Sequence, residues 1–219
     1  MLSKLGQKLD ERTAWRQVWK TIFLRKVPKV NWWYTLGSAS LVVALNQAIT
    51  GILLTIYYVP TPDHAYDSVQ YITTQIPLGW LVRGLHHWGA SALVVLVVLH
   101  MIRVILYGAY KYPREVTWFT GVLLLLIVIG FGFTGYLLPW DQKAYWATTV
   151  GTRITEITPF IGDYLLRIVR GGSEISAVTL VRFFGTHIWV LPAALLFLLG
   201  MHLYLVIRNG ISAVPGRKE

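Results

Sequence analysis

Six histidines are the residues of this 219-residue sequence whose spacing most directly suggests chemistry. His86 and His100 lie fourteen residues apart in one apolar segment, and His187 and His202 lie fifteen residues apart in another. Because a helix rises 1.5 Å per residue, the histidines of each segment would be separated by about 21–22 Å. Fourteen residues are close to four helical turns, so His86 and His100 would face roughly the same side.

Four apolar segments have the length of about 20 residues that a membrane-spanning helix requires. They are residues 33–59, 80–107, 116–138 and 178–207. Only 14% of the residues are charged, whereas a soluble domain carries about 25%. The sequence therefore predicts an all-α integral membrane protein whose residues 31–219 form a four-helix transmembrane bundle, and it excludes a soluble or disordered chain.

The net charge of +10 could suggest a nucleic-acid partner, but the distribution of the basic residues along the chain is typical of a membrane topology. Residues 1–30 hold eight basic residues, and the second connection adds Lys111 and Arg114. The connection at residues 60–79 has no lysine or arginine. Because basic loops stay on the cytoplasmic side, both termini are predicted to lie on that side.

Polar segments outside the four spans are also predicted to be helical. Within residues 1–30, the apolar residues 15, 18, 19, 22 and 23 recur with helical spacing, which is typical of an amphipathic helix on the inner membrane surface. A helix that docks on a partner subunit would show the same pattern. Residues 139–177 are predicted to form short amphipathic helices on the outer surface.

The alternating direction of the spans sets the depth of each histidine. The second and fourth spans run parallel, so His86 and His187 share the outer depth, and His100 and His202 share the inner depth. Two imidazoles at each depth could ligate two stacked bis-histidine haems. A lone intramembrane histidine is more often hydrogen-bonded or pore-lining, but polar groups in hydrocarbon are costly, and matched pairs favour iron ligation.

Glycines repeat the fourteen-residue spacing on the other two spans. Gly37 and Gly51 lie on the first, and Gly121 and Gly135 on the third. Gly37 and Gly121 are predicted at the inner depth and the other two at the outer depth, where glycine would let a flat haem approach the helix. Ordinary packing of small residues is the alternative. The absence of cysteine excludes thioether attachment, so both haems would be non-covalent and of b type.

With these residues the sequence resembles cytochrome b of quinol-oxidising Rieske/cytochrome b complexes, and in particular the split four-helix form called cytochrome b6. Further motifs carry the resemblance: Arg83 before His86, Arg103 after His100, Pro113-Arg114-Glu115, the run from Gly135 to Gln142, the run from Thr179 to Phe184, and Pro192. Two departures stand out. Thr35 occupies the place of a cysteine that often anchors an extra haem, and a Pro-Glu-Trp-Tyr motif is absent.

The resemblance implies a subunit of a proton-translocating quinol oxidoreductase, which is inactive alone. Quinol would be oxidised near the outer face, with one electron passing to a Rieske iron–sulfur protein and the other through both haems to an inner quinone. The outer quinol pocket would comprise Phe133, Tyr136, Pro139, Ala147 and Val150. An interfacial aromatic belt is the alternative for that region. The candidates for the inner quinone are Arg208, Ser40 and, more weakly, Lys20.

Arginines near the ends of the spans are candidates for contacts with haem propionates, because a guanidinium can bind a carboxylate in bidentate fashion. Arg83 and Arg182 would serve the outer haem, and Arg103 and Arg114 the inner one. Topological charge or snorkelling of the side chains is the alternative.

The resemblance also implies partners and a location. The partners would be a Rieske protein, a smaller three-helix subunit with the Pro-Glu-Trp-Tyr motif, and a c-type cytochrome or similar acceptor, in a dimeric complex. The membrane would be a bacterial plasma membrane or one of thylakoid type. The open alternatives are a dihaem anchor of another quinone-linked dehydrogenase or reductase, and a non-redox transporter or channel with intramembrane histidines.

Overall fold

The computed structural model describes residues 2–24 and 31–212, and these residues form helices without any strand. Four helical stretches are long and apolar enough to cross a membrane: Trp32–Thr55, Gly79–Leu106, Glu115–Leu137 and Ala177–Asn209. Their large apolar side chains are widely exposed, with Trp88 and Phe197 each 72% accessible, as expected of surfaces that contact lipid. The predicted all-α class with four spans is confirmed.

Ten α-helices follow one another along the described residues. They are α1 (Leu2–Thr13), α2 (Trp15–Phe23), α3 (Leu36–Thr55), α4 (Ala65–Thr74), α5 (Gly79–Leu106), α6 (Glu115–Leu137), α7 (Gln142–Glu156), α8 (Gly162–Arg170), α9 (Ala177–Gly185) and α10 (Leu191–Asn209). A 3-10 turn, Trp32–Thr35, precedes α3, and a π-helical turn, Thr186–Val190, joins α9 to α10.

Three features differ from the sequence expectation or extend it. The first span is expected to reach residue 59, but α3 ends at Thr55. The connection that follows contains α4, which no pattern predicted. The N-terminal segment forms two helices, because Ala14 takes a left-handed conformation with φ 49° between α1 and α2. Residues 25–30 and 213–219, which belong to the predicted segments 1–30 and 31–219, lie outside the described residues.

The spans pack in two pairs, and this pairing positions the histidines. The first span packs mainly against α5, and α6 packs mainly against α10. The histidine-bearing helices α5 and α10 are therefore each backed by a helix that carries two of the predicted glycines. Contacts between α5 and α6 join the two pairs.

The end of the bundle near His86 is covered by the short helices. Buried apolar residues from α4, α6 and α9 form a core there, which includes Ala65, Leu137 and Leu180. Arg170 ties α8 to α7, since its Nε donates to Thr152 Oγ1 over 2.8 Å and its Nη2 to the Thr149 carbonyl over 3.0 Å. These charge-assisted bonds hold α7 in place above the end of α6.

Candidate functional site

His86 and His187 face each other across the gap between the two helix pairs. Their ring centroids are 6.4 Å apart, with 71° between the ring planes. A ligating nitrogen lies roughly 1.1 Å from its ring centre and a metal–imidazole bond is about 2.1 Å, so two rings on one metal ion have centres about 6.4 Å apart. The two imidazoles therefore have the separation needed for axial ligands of one iron.

His100 and His202 occupy the opposite end of the bundle. They are close enough that a charge on one ring would act on the other. Both residues are partly buried, and Arg103 is a further neighbour of His100. The structure thus brings the four predicted ligands together in the two expected pairs.

Each of the four predicted glycines lies against one histidine ring. A Cβ atom would stand 3.1 Å from His100 Cε1 at Gly37 and 3.2 Å from His86 Cε1 at Gly51. On the other side of the gap, a Cβ would stand 2.8 Å from Cε1 of His187 at Gly135, and 3.4 Å from that of His202 at Gly121. The glycines therefore leave room for the imidazole rings. That they also let the flat face of a haem approach the helix stays a prediction.

The π-helical turn explains how unequal spacings give matching depths. His187 lies inside this turn, and fifteen residues separate it from His202, against fourteen between His86 and His100. A π turn absorbs about one additional residue relative to the α-helix. Pro192 follows the turn and has no N–H to bond the Ile188 carbonyl, which favours such a distortion. The extra residue is taken up there, so both pairs of rings can face the gap.

Three threonines contact the candidate ligands, and sequence reasoning missed them. The hydroxyl oxygens of Thr50, Thr134 and Thr120 lie 2.9 Å from the Nδ1 atoms of His86, His187 and His202, respectively. Their signal in the sequence is position, because each directly precedes a predicted glycine. With Nδ1 engaged, Nε2 is the ring nitrogen left to bind a metal.

Arg103 carries buried donors that the described residues do not satisfy. Its side chain is only 7% exposed, and its guanidinium carbon lies 3.6 Å from the centroid of the Tyr34 ring. Neither Nε nor Nη2 has a hydrogen-bond partner among the described residues. A buried, unpaired guanidinium favours an anionic group at this place, and a haem propionate fits that requirement.

The other predicted arginines differ in their surroundings. Arg114 donates from Nε to the Gly210 carbonyl over 3.1 Å, and Arg182 donates to the Ile168 carbonyl over 3.0 Å. Both are therefore partly engaged by backbone. Arg83 is half-buried on α5, three residues before His86, and Arg208 is exposed near the end of α10.

A cavity of about 320 Å³ opens at the His187 end, between α6 and α7. Its lining comprises Gly132, Phe133, Tyr136, Ala147, Thr148 and Gly151. Three of the five residues expected in a quinol pocket are present, whereas Pro139 and the exposed Val150 stand outside this lining. Thr148 Oγ1 is buried and has no hydrogen-bond partner among the described residues.

The remaining candidates are either exposed or hydrogen-bonded within their own helix. Ser40 donates its hydroxyl proton to the Leu36 carbonyl over 2.9 Å, and Lys20 is exposed on α2. His87 is exposed and contacts Trp88 edge to face. His64 is exposed just before α4. The structure brings neither His64 nor His87 to the facing pairs.

A bundle of membrane-spanning helices with facing, partly buried imidazoles indicates the class of membrane-embedded cytochromes. Comparison with known proteins agrees. The family described as cytochrome b/b6/petB matches residues 22–210. The chain belongs to this family. The family implies b-type haem, and the lack of cysteine fits non-covalent attachment.

Individual relatives are similar over most of the chain. The menaquinol:cytochrome c reductase cytochrome b subunit of Geobacillus thermodenitrificans is 44% identical, covering 97% of this chain and 99% of that protein. Cytochrome b6 of Prochlorococcus marinus (strain MIT 9515) is also 44% identical, over 84% of this chain and 85% of the relative.

A solved structure, described as a hyperthermophilic respiratory complex III, superposes with a TM-score of 0.86 at 36% identity. The match covers 97% of this chain, which spans 58% of the solved chain.

Proposed function

We propose that this chain is the cytochrome b subunit of a quinol-oxidising complex and that it carries electrons across the membrane through two b-type haems. The observation that carries the proposal is the pair of facing imidazoles of His86 and His187, whose ring centroids are 6.4 Å apart, the separation that two ligands of one iron require. Fourteen residues, or about 21 Å along α5, separate His86 from His100. An electron could therefore cross the membrane in short transfers between the two sites.

The chain's own residues would hold the haems without covalent bonds. His86 and His187 would ligate the outer iron, and His100 and His202 the inner iron. Arg103 would bind an inner propionate, and Arg83 is the better placed of the outer arginines. When bound, a haem with two imidazole ligands can accept and release one electron reversibly.

The cavity between α6 and α7 would form one wall of an outer quinol site. Phe133 and Tyr136 offer aromatic surface, and the Thr148 hydroxyl can exchange a hydrogen bond with a quinol oxygen. Pro139 and Val150 would take part only after a rearrangement, or through a partner. At the inner side Arg208 is exposed and could reach a quinone, with Ser40 and Lys20 as weaker candidates.

A partner would complete the outer site. Quinol oxidation releases protons, so a positioned acceptor is required. None of the described residues that line the cavity carries a carboxylate, and the nearby Asp141 is engaged in capping α7 through the Ala144 N–H at 2.7 Å. We therefore assign the acceptor to a smaller three-helix subunit with a Pro-Glu-Trp-Tyr motif.

The complete assembly would also contain a Rieske iron–sulfur protein, a c-type cytochrome or similar acceptor, and a second copy of the complex. A bacterial plasma membrane, or one of thylakoid type, would house it, with both termini on the cytoplasmic side. The basic residues of α1 and α2, such as Arg12, Arg16 and Lys20, support that orientation.

The test is to purify the complex and measure its composition. We expect reduced-minus-oxidised spectra of two distinct b-type haems per copy of this chain, and quinol:acceptor turnover that depends on the Rieske and three-helix subunits. The isolated, haem-loaded chain should show the spectra without turnover. A purified complex without bis-histidine haem would refute the proposal, and robust turnover by the chain alone would refute the divided quinol site.

A further inference from the structure

In the part of the chain that the structure describes, three of the four candidate ligands share a type of hydrogen bond that the fourth lacks. Each of Thr50, Thr120 and Thr134 directly precedes a glycine that lies against a histidine ring, and each has its Oγ1 2.9 Å from that ring's Nδ1. The same arrangement therefore occurs on α3 and twice on α6, at both ends of the bundle.

The direction of these bonds follows from the other contacts of each hydroxyl. Thr50 is 2.6 Å from the Asn46 carbonyl, Thr120 is 2.8 Å from the Thr117 carbonyl, and Thr134 is 2.7 Å from the Gly130 carbonyl. A carbonyl can only accept, and a hydroxyl has a single proton to donate. The threonine oxygen must then accept from the ring, which places the proton on Nδ1 and leaves the Nε2 lone pair for a metal.

His100 is the exception. Leu36 precedes Gly37 where a threonine precedes the other three glycines, and a Cβ on Gly37 would lie 3.1 Å from the His100 ring. Within residues 2–24 and 31–212, no hydrogen bond to the His100 ring is found. Both ligands of the His86–His187 pair therefore have a threonine partner, but only His202 has one in the other pair.

We infer that Thr50, Thr120 and Thr134 are positioning residues that fix the tautomer of three of the histidines that would ligate iron, and that they would make these rings stronger electron donors to it. The inference rests on the proposed function. A hydrogen bond accepted from the non-ligating ring nitrogen raises the basicity of the ligand. The stronger donor stabilises ferric over ferrous iron, so it lowers the midpoint potential of that haem. Because Leu36 stands where a threonine would contact His100, only one ligand of the inner haem would have a threonine partner, and the potential of that haem would be lowered less.

Loss of one threonine hydroxyl is expected to weaken the orientation of its histidine ring without abolishing it. The backbone at Gln47, Phe131 and Thr117 also interacts with the rings of His86, His187 and His202, respectively. A ring that loses its threonine partner therefore keeps part of its orientation, and the haem should be retained.

The experiment compares Thr50→Val, Thr134→Val and Thr120→Val in the purified complex, with equilibrium redox titration of each haem's optical band. Each valine variant should raise the potential of the haem at its own end, by up to about tenfold in the ferrous-to-ferric ratio, or about 59 mV. The other haem is the internal control. The matched Thr→Ser variants keep the hydroxyl and should titrate like the unmodified complex.

A fourth variant adds the missing group. Leu36→Thr should supply an acceptor to His100 and lower the potential of the inner haem alone. Unchanged potentials in the valine variants, or equal shifts in the valine and serine variants, would overturn the inference. An unchanged potential in Leu36→Thr would overturn the asymmetry at His100. If the unmodified complex lacks the two haems, the proposed function fails instead.

Discussion

The two ends of the bundle carry the same pair of imidazoles in different surroundings. At the His86–His187 end, both rings contact a threonine, and a cavity of about 320 Å³ opens nearby between α6 and α7. At the His100–His202 end, one ring contacts a threonine, and Arg103 lies buried against Tyr34. Two haems with the same type of ligand can thus differ in redox potential, because the neighbouring hydrogen bonds, charges and access to solvent differ.

The difference suggests a division of labour. A cavity whose Thr148 hydroxyl has no hydrogen-bond partner among the described residues favours the entry of a neutral substrate with polar ends, such as a quinol. A buried guanidinium favours a bound anion and stabilises an additional electron nearby. Four kinds of variant would sharpen or break this comparison.

The largest effect is expected from removing a ligand. His86→Ala or His187→Ala should abolish one haem spectrum, and His100→Ala or His202→Ala the other, because each iron would lose an axial nitrogen. Haem content and low-temperature difference spectra of the purified complex measure this. His87→Ala is the control, since this neighbouring ring is exposed. Loss of the same haem from His86→Ala and His202→Ala would break the pairing.

The next effect concerns the glycines. Gly135→Leu should displace His187, because even a Cβ would stand 2.8 Å from its ring, and overpacking costs about 1–3 kcal/mol. Gly121→Leu should disturb His202 less, since the corresponding distance is 3.4 Å. Haem retention on heating reports both. Gly200→Leu is the matched control, because its Cβ would meet no described atom within 4 Å; equal losses in all three would point to general helix disruption.

A smaller shift is expected from Arg103→Met, which keeps the apolar stem and removes the charge. The midpoint potential of the haem at that end should fall by about 59 mV, which is about a tenfold decrease in the ferrous-to-ferric ratio, because a nearby cation favours the reduced state. Redox titration measures it. Arg12→Met, at an exposed position of α1, is the control. A shift confined to the haem of the opposite end would contradict the assignment.

The smallest effect should come from the cavity. Gly151→Ala places a Cβ 2.7 Å from Phe133 Cε2, so the Phe133 ring, which lines the same cavity, must shift and change the shape of the space proposed for quinol. We expect a several-fold higher KM for quinol and unchanged haem potentials, measured by steady-state turnover and redox titration. Gly172→Ala, whose Cβ would meet no described atom within 4 Å, is the control. Unaltered kinetics for Gly151→Ala would separate this cavity from the quinol site.

The sequence predicted the elements of this architecture because membrane spans and their contents are governed by local rules. Length and apolarity identify the four spans, since a lipid-exposed backbone must satisfy its own hydrogen bonds. The spacings of His86, His100, Gly37 and Gly51 then predict which residues share a helix face. The facing of His86 and His187 follows from these spacings together with the direction of the helices.

Tertiary structure decided the features that depend on contacts between helices. The fifteen-residue spacing of His187 and His202 works through a π-helical turn, and the glycines meet imidazole edges. The membership of the cavity also depends on how α7 packs on α6, which leaves Val150 outside its lining and brings Thr148 and Gly151 into it.

By itself, then, the sequence determined an all-α chain with four spans and placed matched histidines and glycines at two depths. Periodicity and hydropathy act within single helices and can be read without knowing their neighbours. Only the folded bundle decided that Thr50, Thr120 and Thr134 contact the rings and that Arg103 is buried with two donors that no described residue satisfies. These properties belong to pairs of helices, because a hydrogen bond or a buried charge depends on what the adjacent helix presents at that depth.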